Sequence, residues 1–350
     1  MSRSRRLGLL TAAILLVVVS GGYTAYWMIA AGRLKDGVVA WAEAMRGQGL
    51  DASWKAARVA GYPFAFRLDL SELRLRGEAS AGEFDLGAPT ISGTTGPFNF
   101  RDWSVAAPQG IEANLAQHRV PFAHIEAAAA SGAVSVPPET SASGGTRIWL
   151  SLDDATAEPA GKPDARGTAT AAHLWMILPD QPVRSDAERS LGFAADLRGV
   201  RIPAAPAPFT GTIEDFGFGI SVMGNVPSAP PRQAAEAWRR SGGTVEFDHF
   251  NLDCGGLRIE GSGTLALDSE LQPIGAFSGA IEGYDRLFGG LVTAGQMRPA
   301  QAGIAQLALG VLAKTGPDGK PRIETSFTIQ NGQMYLGPVK LGPAPRIDWR

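Results

Sequence analysis

The chain has one cysteine, Cys254, and four histidines, His118, His124, His173 and His249, among 350 residues. A single cysteine excludes a disulfide framework and any cysteine-cluster zinc site. Four scattered histidines leave little material for metal ligation or acid–base chemistry. Charge is scarce as well, at 19% of residues with a net of -2. There is no phosphate-cradling G-x-x-x-x-G-K, no G-x-S-x-G nucleophile elbow, no H-E-x-x-H and no S-x-x-K. No catalytic residue, metal site or cofactor is therefore expected, and the chain does not read as an enzyme. What is plentiful is turn-forming residues: 44 Gly and 24 Pro, about a fifth of the chain against a usual ~12%. That excess argues against a helical bundle. With 45% hydrophobic residues there is ample core for one large or two modest domains.

The longest apolar run lies at the N-terminus. Arg3, Arg5 and Arg6 (a cytoplasmic tail over residues 1–6) precede an uncharged stretch from Leu7 to Ala31. As a helix at ~1.5 Å per residue, 7–31 reaches about 37 Å, enough to cross a hydrocarbon core of ~30 Å. Tyr23, Tyr26 and Trp27 fall where an aromatic belt meets the far headgroups. A cleaved signal peptide is the competing reading, because Leu7–Val19 has the right length and Ser20-Gly21-Gly22 is small. The apolar character that resumes at Tyr23 and the lack of a clean A-x-A site favour an anchor. The expectation is a single-pass inner-membrane protein, its C-terminal body in the periplasm. Without the three arginines that body carries -5, a poor match to nucleic acid.

Beyond the anchor, Leu34, Val38, Trp41 and Met45 form a helical stripe stopped by Gly47 and Gly49. Strand patterns follow. Phe64, Phe66, Leu68 and Leu70 alternate with polar or small residues, and the apolar phase then shifts to Leu73 and Leu75, as a bulge or tight turn requires. Further period-two runs are Ile148/Leu150/Leu152, Leu191/Phe193/Ala195/Leu197, Phe216/Phe218/Ile220/Val222 and Leu257/Ile259/Leu265/Leu267. Ile323–Ile329, Asn331-Gly332 and Met334–Leu336 read as a hairpin with a type I′ turn. Helices are expected over 231–238 and as a pair over about 283–313. The first of that pair packs through Leu287, Phe288, Leu291 and Val292, the second through Ile304, Leu307, Ala308, Val311 and Leu312. The fold class is thus β-rich α+β: an anchor helix and a large, mainly antiparallel, curved sheet with a few packed helices. The exported body is read in two parts, 33–160 and 170–350, with 155–172 as a boundary or long loop.

Three clusters resemble sites. Gly261-Ser-Gly263-Thr-Leu-Ala266 is formally G-x-G-x-x-A, yet Leu265 and Leu267 continue the strand alternation, so its glycines are expected to allow close packing. His118 and His124 flank Pro121 with only Glu126 nearby. Asp248, His249, Asp253 and Cys254 sit close in sequence, but alternation puts His249 with Val245 and Phe247 and Asp248 on the other face. Cys254 is expected to be buried in a strand.

Several segments resemble an uncharacterised family of proteobacterial envelope proteins, domain of unknown function 2125. They are the Trp41 helix, Gly61-Tyr62-Pro63-Phe64, Asn251–Gly261, and the ending Asn331–Pro338 with Leu341-Gly342-Pro343. The resemblance implies location and architecture and carries no activity. At fold level the pattern is loosely similar to AsmA-type envelope proteins, which implies lipid handling. Two roles follow as expectations. In one, an apolar sheet face binds lipid through residues drawn from Phe64, Phe66, Leu68, Phe216, Phe218, Ile220, Leu257 and Ile259. In the other, the chain docks a second envelope protein. Ordinary core packing of the same faces is the competing reading.

Overall fold

The computed structural model describes residues 3–79, 82–117, 119–137, 145–179, 183–203, 211–311, 313–315 and 321–349. Strand makes up 57% of the structure, in one large antiparallel sheet with an apolar helix at the N-terminus. Among the described residues the sheet has eighteen strands. By contacts the chain divides into two compact units: Met1–His124 with Ala129–Val134, and Ile125–Ala128 with Ser135–Arg350.

The first unit opens with α1 (Arg3–Arg46), 44 residues without a break. It carries an 18-residue window of mean hydropathy 1.7, none of it buried. Gly49, at φ +86°, ends the helix, with Leu50 N–H bonded to Met45 O at 3.0 Å and Gly49 N–H to Arg46 O at 3.2 Å. A left-handed residue there costs glycine no steric penalty. The outer half of α1 turns Leu34, Val38 and Met45 inward together with Ala42, which is 5% exposed; Trp41, expected on that stripe, is 46% exposed. The small Ala42 lets helix and sheet approach, whereas an indole one position earlier stays outside.

β1 (Asp51–Ser53), β2 (Ala56–Ala60), β3 (Phe66–Ala79), β4 (Gly82–Gly96), β5 (Asn99–Ala107), β6 (Ile111–Gln117) and β7 (Val120–Ser135) follow. β1 and β2 pair with β3, β3 with β4, and β4 with β5 at one end and β6 at the other. The change of apolar phase after Leu70 is present, but without a break in pairing: Ser71 faces Thr90 and Leu73 faces Ala88 in one register. Glu72 instead takes φ +50° opposite Pro89, which has no N–H to donate. β4 changes partner around the same point.

In the second unit, β8 (Gly145–Pro159), a 3-10 turn (Pro163–Ala165), β9 (Gly167–Pro179), β10 (Arg189–Arg201), β11 (Thr212–Met223), β12 (Thr244–Cys254), β13 (Leu257–Leu267) and β14 (Pro273–Glu282) form a meander. It continues through β15 (Lys314–Thr315), β16 (Pro321–Gln330), β17 (Gln333–Leu336) and β18 (Val339–Pro343). The stretch 155–172 is not a long loop: Ala155 pairs with Ala169 and Ala157 with Gly167 around the 3-10 turn. Asn331 and Gly332 have φ of 53° and 67°, the two left-handed positions of a type I′ turn.

α2 (Pro231–Arg240) lies between β11 and β12; α3 (Tyr284–Thr293) and α4 (Pro299–Gly310) lie between β14 and β15. α2 buries Ala235 and Trp238 against Leu267 and Leu271, and the Trp238 indole donates to Met223 O at 2.7 Å. α3 and α4 bury Phe288, Met297, Ala302 and Ala305 over Leu257, Ile281, Ile323 and Leu336. The expected packing face of α4 is the wrong one. Ile304, Leu307 and Val311 are 68, 76 and 86% exposed, whereas Ala302 and Ala305 face the core. Close contact with α3 selects the small side chains over the large ones. Leu312 lies outside the described residues.

Cys254 is buried, as expected. Desolvation pushes its thiol above the ordinary 9.0, and Glu214 and Asp253 add to the rise. The folded state therefore holds this proton more tightly than the unfolded chain. The associated stability is complete below the unfolded value and is lost as pH climbs from there through the folded one. Maleimide at pH 8 should leave Cys254 of the native full chain unmodified and react promptly once denaturant is added; prompt native labelling would contradict the burial.

Candidate functional site

Among the described residues two apolar surfaces hold the expected site residues that stay outside the cores. The first belongs to the first unit, where α1 meets two turns. Tyr23 OH donates to Pro63 O, Trp27 Nε1 to Ala65 O at 3.1 Å, and Tyr26 OH to Pro97 O at 2.6 Å. Thr24 Oγ1 and Tyr62 OH lie 2.7 Å apart. Trp27 stacks on Phe66 with ring centroids 5.2 Å apart, and Phe66 stacks on Phe100 at 5.5 Å. Tyr26 stacks on Phe98 at 5.8 Å. Phe66 is wholly buried between Trp27 and Phe100, while Phe64 is 85% and Phe98 77% exposed. The residues expected to form an aromatic belt thus also fasten the β2–β3 and β4–β5 turns to the helix.

The sequence carried a signal for this arrangement that alternation alone misses. Pro63-Phe64-Ala65-Phe66-Arg67 and Pro97-Phe98-Asn99-Phe100-Arg101 are the same P-F-x-F-R pattern. In each copy the first Phe projects from the turn; the second Phe of the first copy, Phe66, is buried, and that of the second, Phe100, stacks on it while staying 46% exposed.

The second surface is one face of the meander in the second unit. Register aligns Ile148, Met176, Phe193, Ile220 and Phe247 across β8 to β12, and Leu150, Leu174, Ala195, Phe218 and Phe250 beside them. A third row runs from Leu152 through Ala172, Leu197, Phe216 and Leu252 to Ile259, Ile281 and Ile323. Phe193, Phe218 and Phe216 form a ring chain with centroids 5.7 and 5.8 Å apart. Toward β13, β14 and β16 the face is roofed by α3 and α4. Across β9 to β11, Leu174, Met176, Phe193, Phe216, Phe218 and Ile220 remain half-exposed.

Gly261 and Gly263 lie on this face within β13. A Cβ at Gly261 would meet the Phe250 ring at 2.7 Å, and one at Gly263 the Phe277 ring at 2.4 Å. The G-x-G-x-x-A pattern therefore makes room for two aromatic rings and sits mid-strand.

The eight residues expected to line a lipid site are divided between the two units. Phe64, Phe66 and Leu68 belong to the first unit; Phe216, Phe218, Ile220, Leu257 and Ile259 belong to the second. Phe66 at 0%, Leu68 at 8% and Leu257 at 1% exposure have little surface to offer a ligand, whereas Phe216, Phe218 and Ile220 do.

The polar clusters resolve differently. β12 carries an extra residue at Asp248, so Phe247 and Phe250 share the apolar face, and His249 pairs with Gly219 on the opposite one. A Cβ at Gly219 would touch the His249 ring at 2.7 Å. Alternation had kept His249 with Val245 and Phe247; the bulge overturns that. Asp248 accepts from Ser221 Oγ at 3.0 Å, and Asp253 pairs with Arg258 at 2.8 Å. His124 Nδ1 lies 2.8 Å from Asn114 Oδ1, while His118 is outside the described residues. Among the described residues no group of three His, Cys, Asp or Glu is placed to hold a metal ion.

On the polar face, Arg258 lies 3.5 Å and Arg322 3.1 Å from the buried Glu282, and Arg322 also binds Glu260. Those two carboxylates raise the Arg322 guanidinium above its ordinary value. Glu282→Ala removes the shared acceptor of two cations and should lower stability by about 1–3 kcal/mol, read as a lower denaturation midpoint.

Comparison with curated proteins and with solved structures gives no match. The family described as "uncharacterized protein conserved in bacteria", domain of unknown function 2125, matches residues 27–345, from Trp27 at the aromatic junction nearly to the end, and the chain belongs to it.

Proposed function

We propose that the protein is a single-pass anchor of the bacterial inner membrane, with its body in the periplasm, and that the open part of its sheet face binds lipid acyl chains. The anchor is supported by a 44-residue helix whose exposed side chains over Ile14–Val19 are all aliphatic, and by three N-terminal arginines that favour the cytoplasmic side. The aromatic junction argues for a retained helix, because Tyr23, Tyr26 and Trp27 are hydrogen-bonded into the body.

Lipid binding is carried by one observation: Phe216, Phe218 and Ile220 stay half-exposed in register with Phe193, Leu174 and Met176. Contiguous apolar surface of this kind marks a binding surface more often than a solvated one. The role is binding; no step of chemistry is assigned. A second reading, docking of another envelope protein, is favoured by the exposed Ile304 and Leu307 on α4 and Val311 just after it.

One experiment separates them. A benzophenone side chain at Phe218 or at Leu307 of the full chain is photolysed in growing cells, and the adducts are weighed. A lipid mass at Phe218 supports the first reading, and a discrete protein adduct at Leu307 supports the second. Adducts at Phe218 only within the chain itself would mean that the face is ordinary core.

A further inference from the structure

We propose that the two P-F-x-F-R turns form a membrane-inserting lip, with Phe64 and Phe98 entering the non-cytoplasmic leaflet beside α1. This rests on the anchoring reading above and goes beyond it. An anchor alone tethers a body; the lip fixes the depth and tilt at which the first unit meets the lipid.

Three observations converge. The first is level. The span from Leu7 to Trp27 covers about 31 Å as a helix, close to a hydrocarbon core of ~30 Å. Tyr23, Tyr26 and Trp27 then lie in the headgroup zone, and those side chains contact the turns directly. Phe64 and Phe98 are held at the same height as the end of the hydrocarbon span.

The second is backbone satisfaction. Pro63 O, Ala65 O and Pro97 O each receive a hydrogen bond from an aromatic side chain of α1. The single Thr95 hydroxyl proton is shared between Asn99 O at 2.5 Å and Asp102 O at 2.8 Å, and Phe100 O accepts from Trp103 Nε1 at 3.0 Å. In the first turn, the Phe64 and Ala65 N–H groups both donate to Gly61 O. Turns in water leave such carbonyls to solvent. Irregular backbone at membrane depth is tolerated only when its polar groups are paired.

The third is charge. Residues 61–66 and 96–100 hold no charged side chain; the first charges after them are Arg67, paired with Asp69 at 3.2 Å, and Arg101 beside Asp102, at the level where charged groups can meet lipid headgroups. At the opposite end of these strands the pattern fails. β6 runs from Glu112 beside Gly87 to Ala116 beside Glu83, so Phe122, 63% exposed, stands at the end where β3 and β4 join. That end is charged, with Glu78, Glu83 and the ion pair Arg76–Asp85 around an open groove of about 530 Å³.

The test uses the full chain with Cys254→Ala in vesicles of phosphatidylethanolamine and phosphatidylglycerol. Single nitroxide labels are placed through Val17→Cys, Phe64→Cys, Phe98→Cys or Phe122→Cys, and collision with oxygen is compared with collision with a water-soluble nickel chelate. Labels at 64 and 98 should show an oxygen-to-nickel ratio several-fold above that at 122, approaching that at 17. A lipid-like label at 17 with water-like labels at 64 and 98 overturns the lip while the anchor stands. A water-like label at 17 removes the anchor and the lip with it.

Discussion

Replacing Phe66 with alanine is expected to destabilise the first unit by about 3–5 kcal/mol, the range for truncating a fully buried phenylalanine. Thermal unfolding of the full chain in detergent micelles should show that unit's transition falling by roughly 10 °C. The expectation follows from the position of the ring, wholly buried with Trp27 on one face and Phe100 on the other. Aromatic pairs contribute ~0.5–1.5 kcal/mol beyond the area they bury, and alanine forfeits two such pairs as well as opening a cavity.

Phe64→Ala, two residues earlier and 85% exposed, should leave the same transition within about 2 °C, as surface substitutions do. The pair of variants separates two places in one short motif: the second Phe holds the turn to α1, and the first takes no part in the fold. A Phe66→Ala chain that melts with the parent would mean that α1 and the turns are joined by their hydrogen bonds alone.

Local rules made much of this fold legible. Asn331-Gly332 gave its turn type because both positions need positive φ, and the β13 alternation from Leu257 to Leu267 gave a strand in place of a nucleotide-binding loop. Reading failed where a decision was tertiary. Trp41 and Ala42 adjoin on α1, and only the distance to the sheet decides which turns inward. On β12, Phe247 and Phe250 are separated by two polar residues. Two polar residues between apolar ones in a strand signal one residue too many, and the bulge at Asp248 is the answer. The first P-F-x-F-R turn reads as strand because Phe64 happens to be in phase with Phe66, Leu68 and Leu70, yet β3 starts only at Phe66 and Phe64 lies in the turn before it. The shared level of the two turns on α1 appears only once β3 and β4 are paired. The half-exposed apolar rows of the second unit were half legible: period two gave the faces, but not which lengths of them α2, α3 and α4 would cover.

That covering predicts the second large effect. Phe288→Ala should cost about 3–5 kcal/mol, because Phe288 is fully buried under α4 against Leu257, Ile281 and Ile323, and Ala302 and Ala305 are too short to fill the gap. Cys254 reports on the same region without a label, since its strand partner Leu257 belongs to that core. At a fixed sub-denaturing urea concentration, thiol alkylation of the Phe288→Ala chain should exceed the parent's by roughly a hundredfold or more, given 1.4 kcal/mol per factor of ten. Leu307→Ala on α4 removes a comparable bulk yet should change the rate by less than about threefold, because the side chain is 76% exposed and such sites cost within ~0.5 kcal/mol. Equal effects at 288 and 307 would mean that α4 rests on its large residues, as its sequence alone suggested. With Leu307 silent for folding, Ile304, Leu307 and Val311 contribute nothing to the core they were expected to build, and the small Ala302 and Ala305 carry the packing of α4.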